Sequence, residues 1–145
     1  MVPQEWTVVV EKNYKDWKQD GLWEDYYDNG QLKFKGNYKD WKQDGLSETY
    51  FDNGQLKEKV NYKEGKEDGL WEFYDEEGNL TKTEEWKDGK QDGLCEWYHK
   101  NGQLRSTGNY KDGKKDGPWE EYDVEGNLTK TEEWKDGELI PFKKT

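Results

Sequence analysis

Apolar and polar positions in this chain alternate in short bursts, and the bursts are separated by turn residues. Gly21-Leu22-Trp23-Glu24-Asp25-Tyr26 is one burst; Leu32 to Tyr38 is the next, across Asp28-Asn29-Gly30. No window carries apolar residues at helical spacing. Segments of six to eight residues, rich in aromatics and bounded by Gly, Asp and Asn, predict strands joined in hairpins. The rhythm is periodic: Asp20-Gly21, Asp44-Gly45, Asp68-Gly69, Asp92-Gly93 and Asp116-Gly117 recur every 24 residues without insertion or deletion. A fixed period of this length predicts a repeat architecture.

The repeat divides the chain into five copies, 21–44, 45–68, 69–92, 93–116 and 117–140. Residues 1–20 read as a half-repeat, because Val8, Val10 and Tyr14 stand 24 positions before Leu32, Phe34 and Tyr38. They are expected to cap the N-terminus. Residues 138–145 leave the pattern and are expected to cap the other end, with Pro141 blunting an exposed edge. The expected architecture is all-β. It is a single repeat domain over 1–145, an elongated, twisted antiparallel meander of about eleven strands built from tandem 24-residue hairpins.

Turn chemistry predicts the register. Asn-Gly occupies the first turn in three copies and Glu-Gly in two (Glu77-Gly78, Glu125-Gly126). A two-residue type I′ turn needs positive φ at both positions, which Glu tolerates poorly; a three-residue loop needs it only at the final Gly. The loop is therefore Asp28-Asn29-Gly30, with Tyr27 opposite Gln31. Continued regularly, that pairs Tyr26 with Leu32, Glu24 with Phe34 and Leu22 with Gly36. One face would carry Leu22, Tyr26, Leu32 and Tyr38, and the other Trp23, Lys33, Lys35 and Asn37. The second connection reads Lys-Asp-Gly-Lys in later copies, but Trp17 and Trp41 replace its Gly. A bulky residue is an outlier at positive φ, so either the site does not need left-handed geometry or the first two turns differ.

Composition changes this picture little. Apolar residues make up 29% of the chain and the formal charge is -11, a pairing seen in disordered chains. Aromatics at 16%, in register with the repeat, argue for a fold instead. With 34 acidic against 23 basic residues and no basic stripe, neither nucleic acid nor an anionic membrane is an expected partner. No apolar run is long enough for a membrane span. Met1 to Trp6 lacks the basic and apolar regions of a signal peptide, which leaves a cytoplasmic chain and a secreted one with its leader removed both open.

Candidate chemistry is sparse. His99 is the one histidine, in a hairpin at the position of Tyr27 and Phe51, and reads as a surface turn residue. Cys95 reads as a small half-buried substitution at the position of Trp23, Trp71 and Trp119, and Ser47 stands there too. Glu24, Glu48, Glu72, Glu96 and Glu120 recur in every copy and read as structural acceptors for a Tyr hydroxyl, a turn amide or a Lys. The turn aspartates lack a calcium-loop pattern. No catalytic residue, metal site or cofactor is expected. The binding candidates are the Trp row, Trp23, Trp71 and Trp119, with Tyr26, Tyr50, Tyr74, Tyr98 and Tyr122.

The stretch from Tyr110 to Tyr122, Tyr-Lys-Asp-Gly-Lys-Lys-Asp-Gly-Pro-Trp-Glu-Glu-Tyr, resembles the membrane occupation and recognition nexus (MORN) repeat. The likeness is to its bacterial variant and covers about residues 8–140. It implies strings of β-hairpins in an elongated sheet, no shared catalytic motif, and a scaffolding role; members of the variant group are often labelled antitoxin components of toxin–antitoxin systems. The expected function is a non-enzymatic scaffold that binds a protein partner through an aromatic and charged sheet surface, with self-association through edge strands open to it. The alternative is a carbohydrate- or cell-envelope-binding module.

Overall fold

The computed structural model describes residues 20–141 in full, preceded by the backbone of two short strands, β1 (Tyr14–Lys15) and β2 (Lys18–Gln19). The strands that follow are β3 (Gly21–Tyr26), β4 (Leu32–Lys39), β5 (Lys42–Tyr50), β6 (Leu56–Lys63), β7 (Lys66–Glu67) and β8 (Gly69–Tyr74). The second half holds β9 (Leu80–Lys87), β10 (Lys90–Tyr98), β11 (Leu104–Lys111), β12 (Lys114–Tyr122), β13 (Leu128–Lys135) and β14 (Glu138–Ile140). They form one 12-stranded antiparallel sheet in chain order from β3 to β14, with β7 also paired to β6; β1 and β2 pair separately. Strand contacts run chiefly between sheet neighbours, as the period predicts. The N-terminal cap expected at residues 1–20 lies, apart from β1, β2 and Asp20, outside the described residues.

The first turn is the expected three-residue loop. Tyr27 N–H donates to Gln31 O at 2.8 Å, Gly30 N–H to Tyr27 O at 2.9 Å, and Gly30 has φ 88°. Two side-chain solutions hold this loop. Asn29 Oδ1 accepts from Gln31 N–H at 2.9 Å. In the Glu-Gly copies, Asp75 and Asp123 take over from the position before the loop; Asp75 Oδ1 accepts from Glu77 and Asn79 N–H, each at 2.9 Å. These amide bonds, chiefly from Asn79 and Asn127, hold both carboxyls below the ordinary range.

Beyond the loop the regular register fails. Tyr26 does face Leu32, but the next pair is Asp25 with Phe34, so Lys33 has no opposite number. The same shift follows the loop in every copy. An extra residue in one strand is a β-bulge, and it moves all later side chains of that strand to the other face. Trp23 thus lies opposite Gly36, and Gly21 opposite Tyr38. This corrects the expected pairing of Glu24 with Phe34 and Leu22 with Gly36. Leu22, Glu24, Tyr26 and Leu32 do share a face. Tyr38 does not join them: it sits with Trp23, Phe34 and Gly36, while Lys35 and Asn37 go to the Leu22 side.

The second connection is a two-residue turn with both central residues left-handed, as in a type I′ hairpin. Glu64 and Gly65 have φ 50° and 82°; Asp40 and Trp41 have φ 51° and 70°. Neither expectation for Trp41 holds. The site does need left-handed geometry, and the Trp41 turn is built like the later ones; Trp17 lies outside the described residues. These turns also stitch the copies together. Gly65 N–H donates to Gln43 O at 2.8 Å, and Gly89, Gly113 and Gly137 repeat the contact one copy later. On the opposite edge Tyr27 O–H reaches Tyr50 O at 2.6 Å, and His99 Nε2 lies 2.8 Å from Tyr122 O in the equivalent place.

The buried residues Gly36, Ser47, Val60, Glu84, Cys95, Gly108 and Trp119 lie in one row across the sheet, which the half-buried Trp23, Trp71 and Glu132 complete. At one place in successive copies of this row, Trp23, Ser47, Trp71, Cys95 and Trp119 alternate large and small. A Cβ on Gly108 would sit 2.1 Å from Trp119 Cδ2, so the indole occupies the space the glycine leaves. Gly108→Ala is expected to cost about 1–3 kcal/mol through overpacking, read as a lower midpoint in urea unfolding. Trp41→Gly is expected to gain roughly 1 kcal/mol in the same assay by relieving left-handed backbone in a bulky residue.

Candidate binding face

The bulge gathers the aromatics of two registers onto one face. Trp23 lies 5.8 Å from Tyr38 between ring centroids. Trp71 stands between Tyr62 at 5.5 Å and Trp86 at 5.3 Å, and its Nε1–H donates to Asn61 O at 3.0 Å. Trp119 meets Tyr110 edge-on at 5.4 Å and donates to Asn109 O at 3.2 Å. These contacts hold the indoles down across the sheet. Trp119 is only 8% exposed, whereas Trp97, further along the same face, is 39% exposed.

Charged side chains are built into this face. Glu84 is 4% exposed and pairs with Lys82, and Trp86 Nε1–H donates to it at 2.6 Å. A buried carboxylate needs such partners. The Lys82 ammonium lies 4.2 Å from the Trp97 ring centroid. Lys115 sits between Trp119 at 4.5 Å and Trp134 at 4.6 Å. The Trp row therefore packs among Tyr, Trp and Lys side chains, rather than facing Lys33, Lys35 and Asn37 as a regular register would place it. Cys95, in the same row, is 2% exposed, more buried than expected, and burial pushes its thiol up to about 11. It is an inert filler, not a nucleophile.

The tyrosine candidates lie on the opposite face. Tyr26 O–H donates to Glu24 Oε2 at 2.5 Å and Tyr50 O–H to Glu48 Oε2 at 3.1 Å; Tyr74 and Tyr122 bond Glu72 and Glu120 in the same way. The recurring glutamate is a structural acceptor, as expected, and of the three partners open to it the bond goes to the tyrosine two residues later. The structure therefore separates the two candidate rows: Trp23, Trp71 and Trp119 on one face, Tyr26, Tyr50, Tyr74, Tyr98 and Tyr122 on the other. Regular alternation across the loop overlooked Tyr38, Tyr62, Trp86, Tyr110 and Trp134 as companions of the Trp row, whereas Trp97, two residues after Cys95, lies on that face by alternation alone. A sequence signal for a packed row existed: large residues at positions 23, 71 and 119 alternate with small ones at 47 and 95 at one place in successive copies.

A single-layer array of β-hairpins with an aromatic face and an acidic balance defines a repeat scaffold. The family model of the MORN repeat variant matches residues 19–40, 43–64, 67–88 and 91–112, so that successive matches begin 24 residues apart. The chain belongs to this family. No curated protein matches the chain. Family membership and the side chains present make it a non-enzymatic repeat protein; among the described residues no group of three or more His, Cys, Asp or Glu could hold a metal ion. No helix among the described residues is long and apolar enough to cross a membrane.

The Glu–Tyr pairs predict an alkaline limit. Burial, and then the Glu48 and Glu72 hydrogen bonds, push Tyr50 and Tyr74 from 10.0 to about 12. Folding thus favours the protonated phenol. This stabilisation is fully present below pH 10.0 and is lost as pH rises towards about 12. Tyrosinate absorbance is expected to rise late, with unfolding, and Glu72→Gln is expected to bring part of that rise to lower pH.

Proposed function

We propose that this protein is a scaffold that binds a protein partner through the face carrying Trp23, Trp71 and Trp119. The observation that carries the reading is the set of packed ring clusters along one side of a single-layer sheet: Trp23 with Tyr38, Trp71 with Tyr62 and Trp86, Trp119 with Tyr110, and Trp134 joined to Trp119 through Lys115. Aromatic side chains held in place offer a partner contact area at little entropic cost. Salt-bridged and free charges around them would set specificity. Tyr26, Tyr50, Tyr74, Tyr98 and Tyr122 belong to the same reading as contacts for a partner that reaches the other face. The chain acts here as one repeat domain, and self-association through an edge strand is a further use of the same sheet.

An antitoxin-like role in a bacterial host is the finer form of this proposal and rests on resemblance alone. It predicts that co-expression relieves the toxicity of a protein encoded beside this one. For the broader reading, the expected outcome is one stoichiometric protein recovered with the chain from its native host. Trp71→Ser, which copies Ser47, should release that protein at least about tenfold more readily, while Tyr74→Phe should retain it. Equal retention by both variants would count against the Trp face.

A further inference from the structure

Copies four and five differ from the others at one place on the aromatic face. The row Asp25, Phe34, Thr49, Glu58, Phe73, Lys82, Trp97, Ser106, Glu121 and Lys130 crosses the sheet beside the buried one. At the matching place β4, β6, β9 and β13 carry Phe34, Glu58, Lys82 and Lys130, but Ser106 in β11 is short. The gap leaves a hollow of about 340 Å³ lined by Trp97, His99, Arg105, Ser106, Glu121 and Thr129, among others. A second hollow of about 260 Å³ shares Trp97, Ser106 and Glu121 and continues towards Trp119, Lys130 and Trp134.

The chemistry of the first hollow is mixed and close to neutral. Trp97 is its one indole wall. Lys82 approaches that ring from β9, while the hollow is built on the other flank, by β11, β12 and β13. Arg105, the chain's one arginine, is exposed and offers a planar fork of donors; Glu121 is exposed and offers only acceptors. The Ser106 hydroxyl can do either, while the Thr129 hydroxyl donates to Glu121 O at 3.1 Å and is left to accept. A ligand suited to all of these has an apolar face for the indole and neighbouring hydroxyls around its rim, with no net charge. A pyranose sugar has that form. The second hollow adjoins the first through Trp97, Ser106 and Glu121, which gives a linear chain of sugars room to extend across the sheet.

We propose that this double hollow is a binding site for a neutral linear oligosaccharide, with Trp97 as the stacking platform and Arg105 and Glu121 as the hydrogen-bonding pair. The site shares Trp119 and Trp134 with the face proposed for a protein partner, but sugar titration of the purified chain tests it separately from recovery of a partner protein. Ser106 sets where it lies: a larger residue there, as in the other copies, would fill it.

The test is titration of the purified chain with cellotriose, xylotriose, maltotriose and tri-N-acetylchitotriose, followed by tryptophan emission and calorimetry. At least one probe should bind saturably at about 1 mM or tighter, with little dependence on salt. Trp97→Thr copies Thr49, and Ser106→Phe copies Phe34, so both place a residue the repeat already accommodates. Each should weaken binding about tenfold or more with an unchanged circular dichroism spectrum. Leu70→Thr, at an exposed position on the opposite face, should bind as the parent does. Absence of saturable binding for all four probes would overturn the proposal, as would undiminished affinity in both Trp97→Thr and Ser106→Phe.

Discussion

The whole sheet depends on the extra residue after each hairpin loop. Lys33, Lys57, Thr81, Arg105 and Thr129 occupy that position, one per copy. Without a bulge, strand parity would put Trp23 and Tyr38 on opposite faces and split the aromatics into two thin rows. With it, the residues near the loop and those beyond it face opposite ways. One face then collects nearly every ring that packs, and the other keeps the Leu, Glu and Tyr positions near the tips. A single-layer sheet has no second layer to bury an apolar face, so concentrating bulky rings on one side is how this chain excludes water.

The second constraint is volume. Neighbouring strands are only about 4.8 Å apart, so an indole that lies over the next strand needs a residue without a side chain beneath it. Trp119 over Gly108 shows the limiting case. Glu84 enters the same row as a charged residue and is tolerated because Lys82 and Trp86 both bond it. Stability and surface character are therefore coupled: the lysines that satisfy or cover the row also decide which rings a ligand can touch. Lys115 covers Trp119 and Trp134, and Lys82 covers one flank of Trp97, whose other flank borders the hollow beside the short Ser106.

The edges follow another logic. Hairpin tips and second turns are exposed, so their backbone groups could be left to water. Instead they bond the next copy, through Gly65, Gly89, Gly113 and Gly137 on one edge and Tyr27, Asn29, Asn53, His99 and Asn101 on the other. Ties of this kind fix the offset between repeats. They also explain why a histidine serves where a tyrosine stood: either side chain can reach the same carbonyl.

Much of this was legible in the residues alone. The period, the hairpins, the three-residue loop and the acceptor role of the recurring glutamate are local, set by turn chemistry and strand spacing, and local rules carry them. The family follows from the same spacing. What only the tertiary structure decided was the parity of each strand beyond its loop. A bulge costs one unpaired residue locally, and nothing in Leu32-Lys33-Phe34 demands it. Its reward is collected on neighbouring strands, where Trp23 meets Tyr38 and Trp71 meets Tyr62 and Trp86. The same holds for Trp41, whose left-handed backbone is imposed by a turn that must close between two paired strands. The faces, and with them the candidate site, belong to packing between copies, which no single copy contains.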